Sequence, residues 1–162
     1  MSSHPSSKRP TGAAFLLAQL GAHAAQRFAE RIAILGIAPK HAGILRIISA
    51  TEDCSQQKLS EMLGVLPSTM VVLIDELDKK GLVQRRRSVK DRRNYALALT
   101  PEGIDLLQQL SRLAAEHEAD LCVALNSKER VTFAAFCRRI ADQQGLTPQV
   151  HPGYRNIEGA HR

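Results

Sequence analysis

The first third of the chain carries apolar residues every three or four positions, which is the period of an amphipathic helix. This pattern runs from about Gly12 to Leu35, and Gly36 follows as a typical helix end. The apolar stripe consists of Leu17, Ala24, Phe28 and Ile32. A second helix is expected to begin at Pro39, because proline suits the first helical position. Its inward residues would be Ile44, Leu45 and Ile48.

Two short helices joined by a tight turn are predicted next. Ser55 is a good N-cap for the helix QQKLSEML, which ends at Gly64. Another helix begins at Pro67 and continues through STMVVLIDELDKK to Gly81. Paired helices of this kind are the helix-turn-helix signature, in which the second helix is the recognition helix.

After Gly81 the apolar period changes from about 3.6 to about 2. The segments LVQR and YALALT alternate apolar and other residues, which predicts two strands joined by the loop RRSVKDRRN. A helix-turn-helix followed by a β-hairpin is a winged helix, and the hairpin is its wing. The predicted fold is therefore mainly α with a small β-hairpin wing.

Two further helices are predicted at the end of the chain. Residues 100–102 supply a cap, a first-turn proline and a first-turn acid for a helix to about Leu125. Asn126 and Glu129 resemble a capping box for a last helix to about Gln144. The first and fifth helices, each more than about 20 residues, are longer than a winged helix needs, and such apolar seams usually find a partner helix. We expect a homodimer in which the terminal helices interleave; an intrachain bundle is the alternative.

The basic residues of the chain are concentrated in one place. Residues 79–93 contain eight basic residues and one acid, a local net charge of +7. The other 147 residues carry 14 basic and 15 acidic side chains, a net charge of −1. Such a patch suits a polyanion, because each cation docked on a phosphate releases condensed counterions. The alternative is a hydrated loop that aids solubility.

Cysteine usage and the apolar runs bear on the compartment. The three cysteines, Cys54, Cys122 and Cys137, form no C-x-x-C pair and cannot all pair within the chain, which favours a reducing compartment. The segment AAFLLAQLGAHAA resembles a signal peptide, but polar residues interrupt it and the helical pattern continues beyond it. No apolar run approaches the ~20 residues of a membrane span. We expect a cytoplasmic protein with no membrane partner.

The central stretch, from CSQQKLSEMLG to YALALTPEG, resembles the MarR family of transcriptional regulators. The most specific part is the wing motif D-x-R-[NS], here Asp91 to Asn94, followed by a strand ending in L-T-x-x-G, here Leu99 to Gly103. The resemblance implies a dimeric winged-helix repressor or activator, often controlled by a small aromatic or phenolic ligand or by thiol oxidation. A two-fold dimer presents two recognition helices to successive major grooves, so a pseudo-palindromic operator is expected on double-stranded DNA.

Composition and the resemblance together divide the chain. Residues 1–10, which are polar and rich in serine and proline, are expected to form a disordered N-terminal tail. Residues 11–144 form a single MarR-like domain, with the winged helix-turn-helix at about 39–100 and dimerisation helices at about 12–35 and 101–144. Residues 145–162 form an irregular C-terminal tail.

Roles on DNA are assigned to the residues that match the motif. Arg93, the motif arginine, is expected to enter the minor groove, and Asp91 is expected to pair with Arg93 and brace the wing. Cations expected to contact phosphates or brace the wing are Arg85, Arg86, Lys90 and Arg92. Ser68 and Thr69, in the first turn of the recognition helix, can donate to a phosphate or base edge, or can simply start the helix.

The recognition helix departs from the family pattern. Many relatives have a capping Asp where this chain has Leu66, and polar or Arg side chains where it has Val71, Val72 and Glu76. Valine offers contact to a thymine methyl and no bidentate hydrogen bond. We therefore expect the wing and the groove shape to carry an unusually large share of recognition.

Effectors in this family commonly bind between the dimerisation helices and the winged helix. His23, His41 and Arg46 are candidate lining residues, and Arg46 would attract a carboxylate or phenolate; an exposed or structurally satisfied role is the alternative for each. The chain has no Trp, and its only tyrosines are Tyr95 and Tyr154, so an aromatic-rich cleft is not expected.

Other classes of function find little support in the chain. It has no G-x-S-x-G, no glycine-rich phosphate loop and no H-E-x-x-H, so we expect neither an enzyme nor a cofactor. The six histidines show no short metal-ligand spacing, so no metal site is expected. Cys54 lies where a helix dipole could lower a thiol pKa, but a buried small hydrophobe is the favoured interpretation. The second hypothesis is a protein-interaction winged helix that has lost DNA binding.

Overall fold

The computed structural model describes residues 12–91, 93–154 and 157. The predicted tail 1–10 and most of the chain beyond Tyr154 lie outside the described residues. The elements are α1 (Ala13–Ile32), a 3-10 turn (Ala33–Leu35), α2 (Pro39–Ala50), α3 (Gln56–Leu63), α4 (Pro67–Lys79), β1 (Val83–Arg87), β2 (Tyr95–Leu99), α5 (Pro101–Leu121) and α6 (Ser127–Gln143). The predicted fold class, mainly α with a β-hairpin wing, is confirmed.

The predicted caps explain where several helices begin. Ser55 Oγ accepts the Lys58 N–H at 3.1 Å at the start of α3, and Gly64 ends that helix in the left-handed region at φ 65°. Thr100 Oγ1 accepts the Gly103 N–H at 3.0 Å and starts α5. The expected end of α5 near Leu125 was wrong, because the helix ends at Leu121.

The core lies where α2, α3 and α4 meet the hairpin. Its fully buried side chains include Ile32, Ile44, Leu45, Leu59, Met70, Ile74 and Leu77. The inward face predicted for α2 is confirmed, because Ile44, Leu45 and Ile48 are all buried. α5 closes one side of this core through Leu110, and Phe28 of α1 packs against it.

The two strands of the wing are antiparallel, with Val83 opposite Leu99 and Arg87 opposite Tyr95. The turn before α3 joins this sheet, because the Leu97 N–H donates to the Cys54 carbonyl at 2.8 Å. The wing is therefore attached to the helix-turn-helix through this turn as well as through its own strand connections.

The terminal helices leave much of their apolar surface exposed in the single chain. Of the predicted α1 stripe only Ile32 is buried, while Leu17 is exposed. Exposed large apolar residues on α1 and α6 are Phe15, Leu16, Leu17, Leu20, Val131, Phe133, Phe136 and Ile140. Among the described residues no single helix is long and apolar enough to cross a bilayer; residues 13–35 and α2 meet that test only as a pair bent by 76°.

The C-terminal segment folds back onto the domain. Tyr154 is buried, and its hydroxyl donates to the Lys40 carbonyl at 2.6 Å. Gly43 allows this approach, because a Cβ at that position would lie 2.1 Å from the tyrosine oxygen. Arg46 Nη2 also holds the segment by donating to the Gln149 carbonyl at 3.0 Å.

Candidate nucleic-acid interface

The recognition helix α4 buries one apolar face and exposes two valines on the opposite side. Met70, Leu73 and Ile74 face the core, whereas Val72 remains 56% exposed and Val71 is also exposed. Leu66 occupies the N-cap position, and its hydrocarbon side chain offers no acceptor to the first-turn amides. The two exposed valines can therefore contact base methyl groups but cannot form bidentate hydrogen bonds.

The first turn of α4 contains the two predicted hydroxyl residues. Ser68 is exposed and lines an open groove of about 730 Å³ between α3 and α4, whereas Thr69 is half-buried. Backbone amides at a helix start favour an anion such as a phosphate. Both hydroxyl groups thus lie at the end of α4 where a phosphate contact is expected.

Glu76 differs from the expectation that it lies on the groove-facing side. Its Oε2 lies 2.7 Å from His41 Nε2 and 3.2 Å from Lys40 Nζ, so the carboxylate faces α2. The hydrogen bond from His41 holds the pKa of Glu76 below its usual value, assisted by Lys40. Glu76 belongs to the contact between α2 and α4.

Arg85 is engaged within the chain rather than presented at the end of the wing. Its Nη2 lies 2.7 Å from Asp75 Oδ1 and its Nη1 lies 3.1 Å from Asp78 Oδ2, both on α4. Two carboxylates thus bind one guanidinium and connect β1 to the recognition helix. This geometry favours bracing over phosphate contact, which were the two roles expected for Arg85.

The other wing cations occupy different positions. Arg86, Lys90 and Arg93 are exposed, and Lys90 Nζ lies 4.0 Å from Glu52. Arg87 stacks its guanidinium 4.6 Å from the centroid of the Tyr95 ring, a cation–π contact. Arg92, the remaining predicted contact, lies outside the described residues.

Asp91 closes the turn of the wing loop. Its Oδ1 accepts the Arg93 backbone N–H at 3.0 Å, and its Oδ2 accepts the Asn94 side-chain amide at 3.0 Å. The expected ion pair with the Arg93 guanidinium is not among the contacts of the described residues. Because two hydrogen bonds hold the turn, the carboxylate fixes the backbone from which Arg93 projects.

Asp53, which no sequence motif marks, lies at the base of the wing loop. Its carboxylate accepts the Ser88 hydroxyl, the Val89 N–H at 3.2 Å and the Lys90 N–H at 3.4 Å. The Ser88 hydrogen bond is the main reason that the pKa of Asp53 lies below its usual value. No residue near it in the sequence TEDC indicates this contact, because its partners are 35 or more residues away.

A mostly apolar cavity of about 390 Å³ lies among α1, α2, α5 and the C-terminal segment. Its wall includes Phe28, Arg46, Leu107, Leu110, His151 and Tyr154. Of the three predicted ligand residues, only Arg46 reaches it. His41 is buried instead against α4, and His23 is not among the lining residues.

The aromatic wall of the cavity was not predicted. Phe28 and Tyr154 both contribute rings, and burial raises the pKa of Tyr154 to about 12. The sequence did not predict that Tyr154 lines this cavity, because the residue lies in a segment without helical or strand periodicity. The cavity therefore offers aromatic faces together with the Arg46 guanidinium.

The structure raises the thiol pKa of Cys54 and of Cys122. Cys54 is buried, and burial raises the pKa of its thiol. Burial, followed by the nearby Glu118 charge, likewise raises the pKa of Cys122. Within the described ranges, no group of three His, Cys, Asp or Glu side chains could hold a metal ion.

Comparison with known proteins gives consistent matches. A MarR family model matches residues 38–95. A protein of Thauera aromatica described as a putative transcriptional regulatory protein for the hcr operon is 31% identical over 113 residues, covering 70% of this chain and 68% of that protein. The regulator SarZ of Staphylococcus saprophyticus is 32% identical over 90 residues, covering 53% of this chain and 62% of SarZ.

A solved structure shares both the fold and part of the sequence. The transcriptional repressor CouR bound to a 23-mer DNA duplex superposes with a TM-score of 0.72 and 26% identity, covering 86% of this chain and 99% of CouR. The likeness therefore extends well beyond the helix-turn-helix.

Proposed function

Because the chain belongs to the MarR family of DNA-binding transcriptional regulators, which are not enzymes, we propose that it represses transcription by binding a pseudo-palindromic operator as a homodimer. The observation that carries this proposal is the placement of the recognition helix beside the wing. The described cations of residues 79–93 lie on and next to these two elements, and they include Lys79 on α4, Arg86 on β1, and Lys90 and Arg93 in the wing loop. The similarity to CouR, a repressor whose structure was solved on duplex DNA, supports the same proposal.

The proposed contacts rest on the positions of the described groups and, for Arg92, on the sequence motif alone. Ser68 and Thr69 would approach a phosphate at the start of α4, while Val71 and Val72 would face base edges in the major groove. Arg93 would enter the adjacent minor groove, and Arg86, Lys90 and Arg92 would contact the flanking phosphates. Arg85 and Asp91 would hold the wing in place.

The homodimer is supported by the exposed apolar faces of the terminal helices. Both α1 and α6 expose several large apolar side chains, and a cluster of such side chains often marks an interface. A dimer that buries these faces would place two recognition helices for successive major grooves.

A small aromatic or phenolic effector is the proposed regulator. The cavity among α1, α2 and α5 has aromatic walls, and Arg46 could pair with a carboxylate or phenolate if it released the Gln149 carbonyl. Titrations of benzoate, 4-hydroxybenzoate and phenol against wild type and Arg46→Gln test this. Binding that is equal in the two proteins would contradict a role for Arg46.

A protein-interaction module without specific DNA binding is the second candidate, and the apolar outer face of α4 favours it. The exposed cations of the wing favour DNA instead. The two candidates differ in the expected effect of salt, because counterion release is a property of polyanions.

The deciding experiment is a mobility shift on a duplex selected by the wild-type protein from a random library, repeated across a salt series. DNA binding predicts a steep, linear fall of log affinity with log salt. The double variant Lys90→Gln and Arg93→Gln should reduce that slope, by roughly one for each phosphate that is no longer bound. The matched control is Arg138→Gln with Arg139→Gln, which removes the same charge from α6 and is compared once sedimentation shows that it has the oligomeric state of wild type. Failure to enrich any duplex would support the interaction module.

A further inference from the structure

The turn between α2 and α3 is held in an unusual backbone conformation. Asp53 has φ 51°, in the left-handed region that few residues other than glycine adopt. Asp and Asn are the side chains that tolerate this region best. The turn is also fixed from outside, because its Cys54 carbonyl accepts the Leu97 N–H of β2. The carboxylate of Asp53 is thus held in a defined position beside the wing.

The wing loop begins on this carboxylate. The buried Ser88 donates its hydroxyl to Asp53, and the same hydroxyl oxygen accepts the Lys90 N–H at 3.2 Å and the Asp91 N–H at 3.0 Å. Asp53 itself accepts the backbone N–H groups of Val89 and Lys90. Together the two side chains receive the backbone amides of residues 89, 90 and 91.

These contacts form one continuous connection to Arg93. Ser88 and Asp53 orient the backbone that enters the loop, and Asp91 then accepts the Arg93 N–H at 3.0 Å. Hydrogen bonds through Asp53 therefore link the helix-turn-helix to the loop that carries Arg93, in addition to the link through the strands of the hairpin.

We propose that Asp53 is a positioning residue for DNA recognition, which holds the base of the wing loop so that Lys90 and Arg93 meet the minor groove and its phosphates. This inference rests on the proposed function of the wing. Asp53 need not touch DNA, and its negative charge near phosphates opposes binding. Its favourable effect comes from ordering the loop before DNA arrives.

The charge of Asp53 and its hydrogen bonds to the loop have opposite effects on DNA affinity, and this difference makes the inference testable. Removing a negative charge near the interface should strengthen DNA binding, whereas losing the loop anchor should weaken it. Glu52 supplies a matched control, because its carboxylate is 88% exposed and lies 4.0 Å from Lys90 Nζ. Glu52→Gln removes the same charge next to the same wing without touching the amides of the loop.

The test variant is Asp53→Asn, which keeps a side chain suited to the left-handed turn and removes the carboxylate. We expect about tenfold weaker binding to the duplex selected by wild type, from the loss of hydrogen bonds to a charged acceptor. Glu52→Gln should bind as tightly as wild type or more tightly. Ser88→Ala, a second variant that breaks the same connection from the other side, should also weaken binding.

A double-mutant cycle with Arg93→Ala separates positioning from a general loss of stability. If Asp53 acts through Lys90 and Arg93, Asp53→Asn should weaken binding less in the Arg93→Ala background than in wild type, and by less than about twofold once Lys90 is also changed to Gln. A variant that merely reduced the folded fraction would weaken both backgrounds equally, and that result would overturn the inference. Hydroxyl-radical footprinting should show minor-groove protection lost in Asp53→Asn and protection around α4 retained.

The remaining outcomes are also decisive. Wild-type affinity in Asp53→Asn, with a clear loss in Arg93→Ala, would overturn the inference and leave the proposed function intact. No loss in Arg93→Ala would instead contradict the proposed role of the wing. Tighter binding by both Asp53→Asn and Glu52→Gln would also overturn the inference, because Asp53 would then affect binding only through its negative charge.

Discussion

Arg85 Nη2 lies 2.7 Å from Asp75 Oδ1 and its Nη1 lies 3.1 Å from Asp78 Oδ2, so two carboxylates of α4 already neutralise this guanidinium. Arg93, eight residues later, is exposed and is held through its backbone amide. Two arginines in one basic run therefore have different tasks. The first orients the wing against the recognition helix, and the second is available to a ligand outside the chain.

At the level of single residues, Arg93→Ala should weaken DNA binding more than Val72→Ala. An arginine in a narrow minor groove meets strong negative potential, whereas Val72 can offer only contact to a methyl group. The measurement is a titration of the selected duplex at one fixed salt concentration. Equal losses for the two variants would show that the wing does not dominate recognition.

A second prediction at this scale concerns Gly43. Gly43→Ala would place a Cβ 2.1 Å from the Tyr154 hydroxyl oxygen, so the ring must leave its position or shift. We expect a loss of roughly 2 kcal/mol in the free energy of unfolding. In a Tyr154→Ala background the same change should instead stabilise α2 by up to about 1 kcal/mol, because Ala favours helix over Gly.

Urea unfolding of the four proteins in this cycle provides the measurement. The reversal of sign is the informative result, since it requires direct contact between residues 43 and 154. If Gly43→Ala has the same effect with and without the tyrosine ring, the C-terminal segment does not dock on α2 in solution.

These residues also show what the sequence could and could not predict about the site. The D-x-R-[NS] motif indicated the wing and its exposed arginine directly. Asp53 contacts Ser88, which lies 35 residues away, and Tyr154 contacts Lys40, which lies 114 residues away. No local sequence pattern predicts contacts between residues so far apart. His41 was expected near a ligand, but packing of α2 against α4 turned its ring toward Glu76.

At the level of elements, the first turn of α2 contacts both the C-terminal segment that lines the apolar cavity and the recognition helix. The Lys40 carbonyl accepts the Tyr154 hydroxyl on the cavity side, while Lys40 Nζ lies 3.2 Å from Glu76 of α4. His41 accepts the Ala38 N–H at Nδ1, so its proton lies on Nε2 and is donated to Glu76. Lys40 and His41, which are neighbours in this turn, thus contact both the C-terminal segment and α4.

Acid should weaken this connection between α2 and α4. The pKa of Glu76 is lowered in the folded protein by its hydrogen bond from His41, so its contribution to stability is present above the unfolded carboxyl pKa. That contribution is lost as the pH falls through the lower, folded pKa. Because Glu76 is partly exposed, we expect less than about 1 kcal/mol.

The check is thermal unfolding of wild type and Glu76→Gln between about pH 7 and pH 3. The variant should be less stable than wild type near neutrality, and the difference should vanish in acid. Glu52→Gln, which removes an exposed carboxylate elsewhere, is the control. A stability gap that persists unchanged at the acid end would contradict the assigned role of Glu76.

Elements themselves were predictable wherever a cap or a period marked them. Ser55, Gly64, Thr100 and Asn126 each lie at the helix boundary where their side-chain chemistry placed them. The end of α5 was misplaced by four residues because apolar residues continue past Leu121 without a glycine or proline to stop the pattern. The capping residues thus located the starts of α3, α5 and α6, whereas no residue marked the end of α5.

At the scale of the whole molecule, the single chain leaves much of the apolar surface of α1 and α6 exposed. The winged helix buries its own core, but α6 has no buried residue among those described. Periodicity predicted that these helices carry apolar stripes, and it could not say whether one chain or two would cover them. Exposure of the stripes in the folded chain favours a second copy.

Phe136→Glu tests that assembly directly. Phe136 lies on α6 and is 53% exposed, so a charge there is readily solvated in a monomer but would be costly inside an apolar interface. We expect wild type to sediment as a dimer and Phe136→Glu as a monomer that still unfolds cooperatively. The control is Val89→Glu, which places the same charge on the wing at a residue that is 81% exposed, and should leave the dimer intact.

DNA binding should follow the oligomeric state. A monomer can engage only one half-site, so Phe136→Glu should bind the selected duplex far more weakly than wild type while its recognition helix and wing remain folded. Sedimentation equilibrium with mobility shifts at matched concentrations separates the possibilities. A Phe136→Glu protein that remains dimeric would place the interface elsewhere, and a monomer that retained full affinity would show that the two copies do not read DNA together.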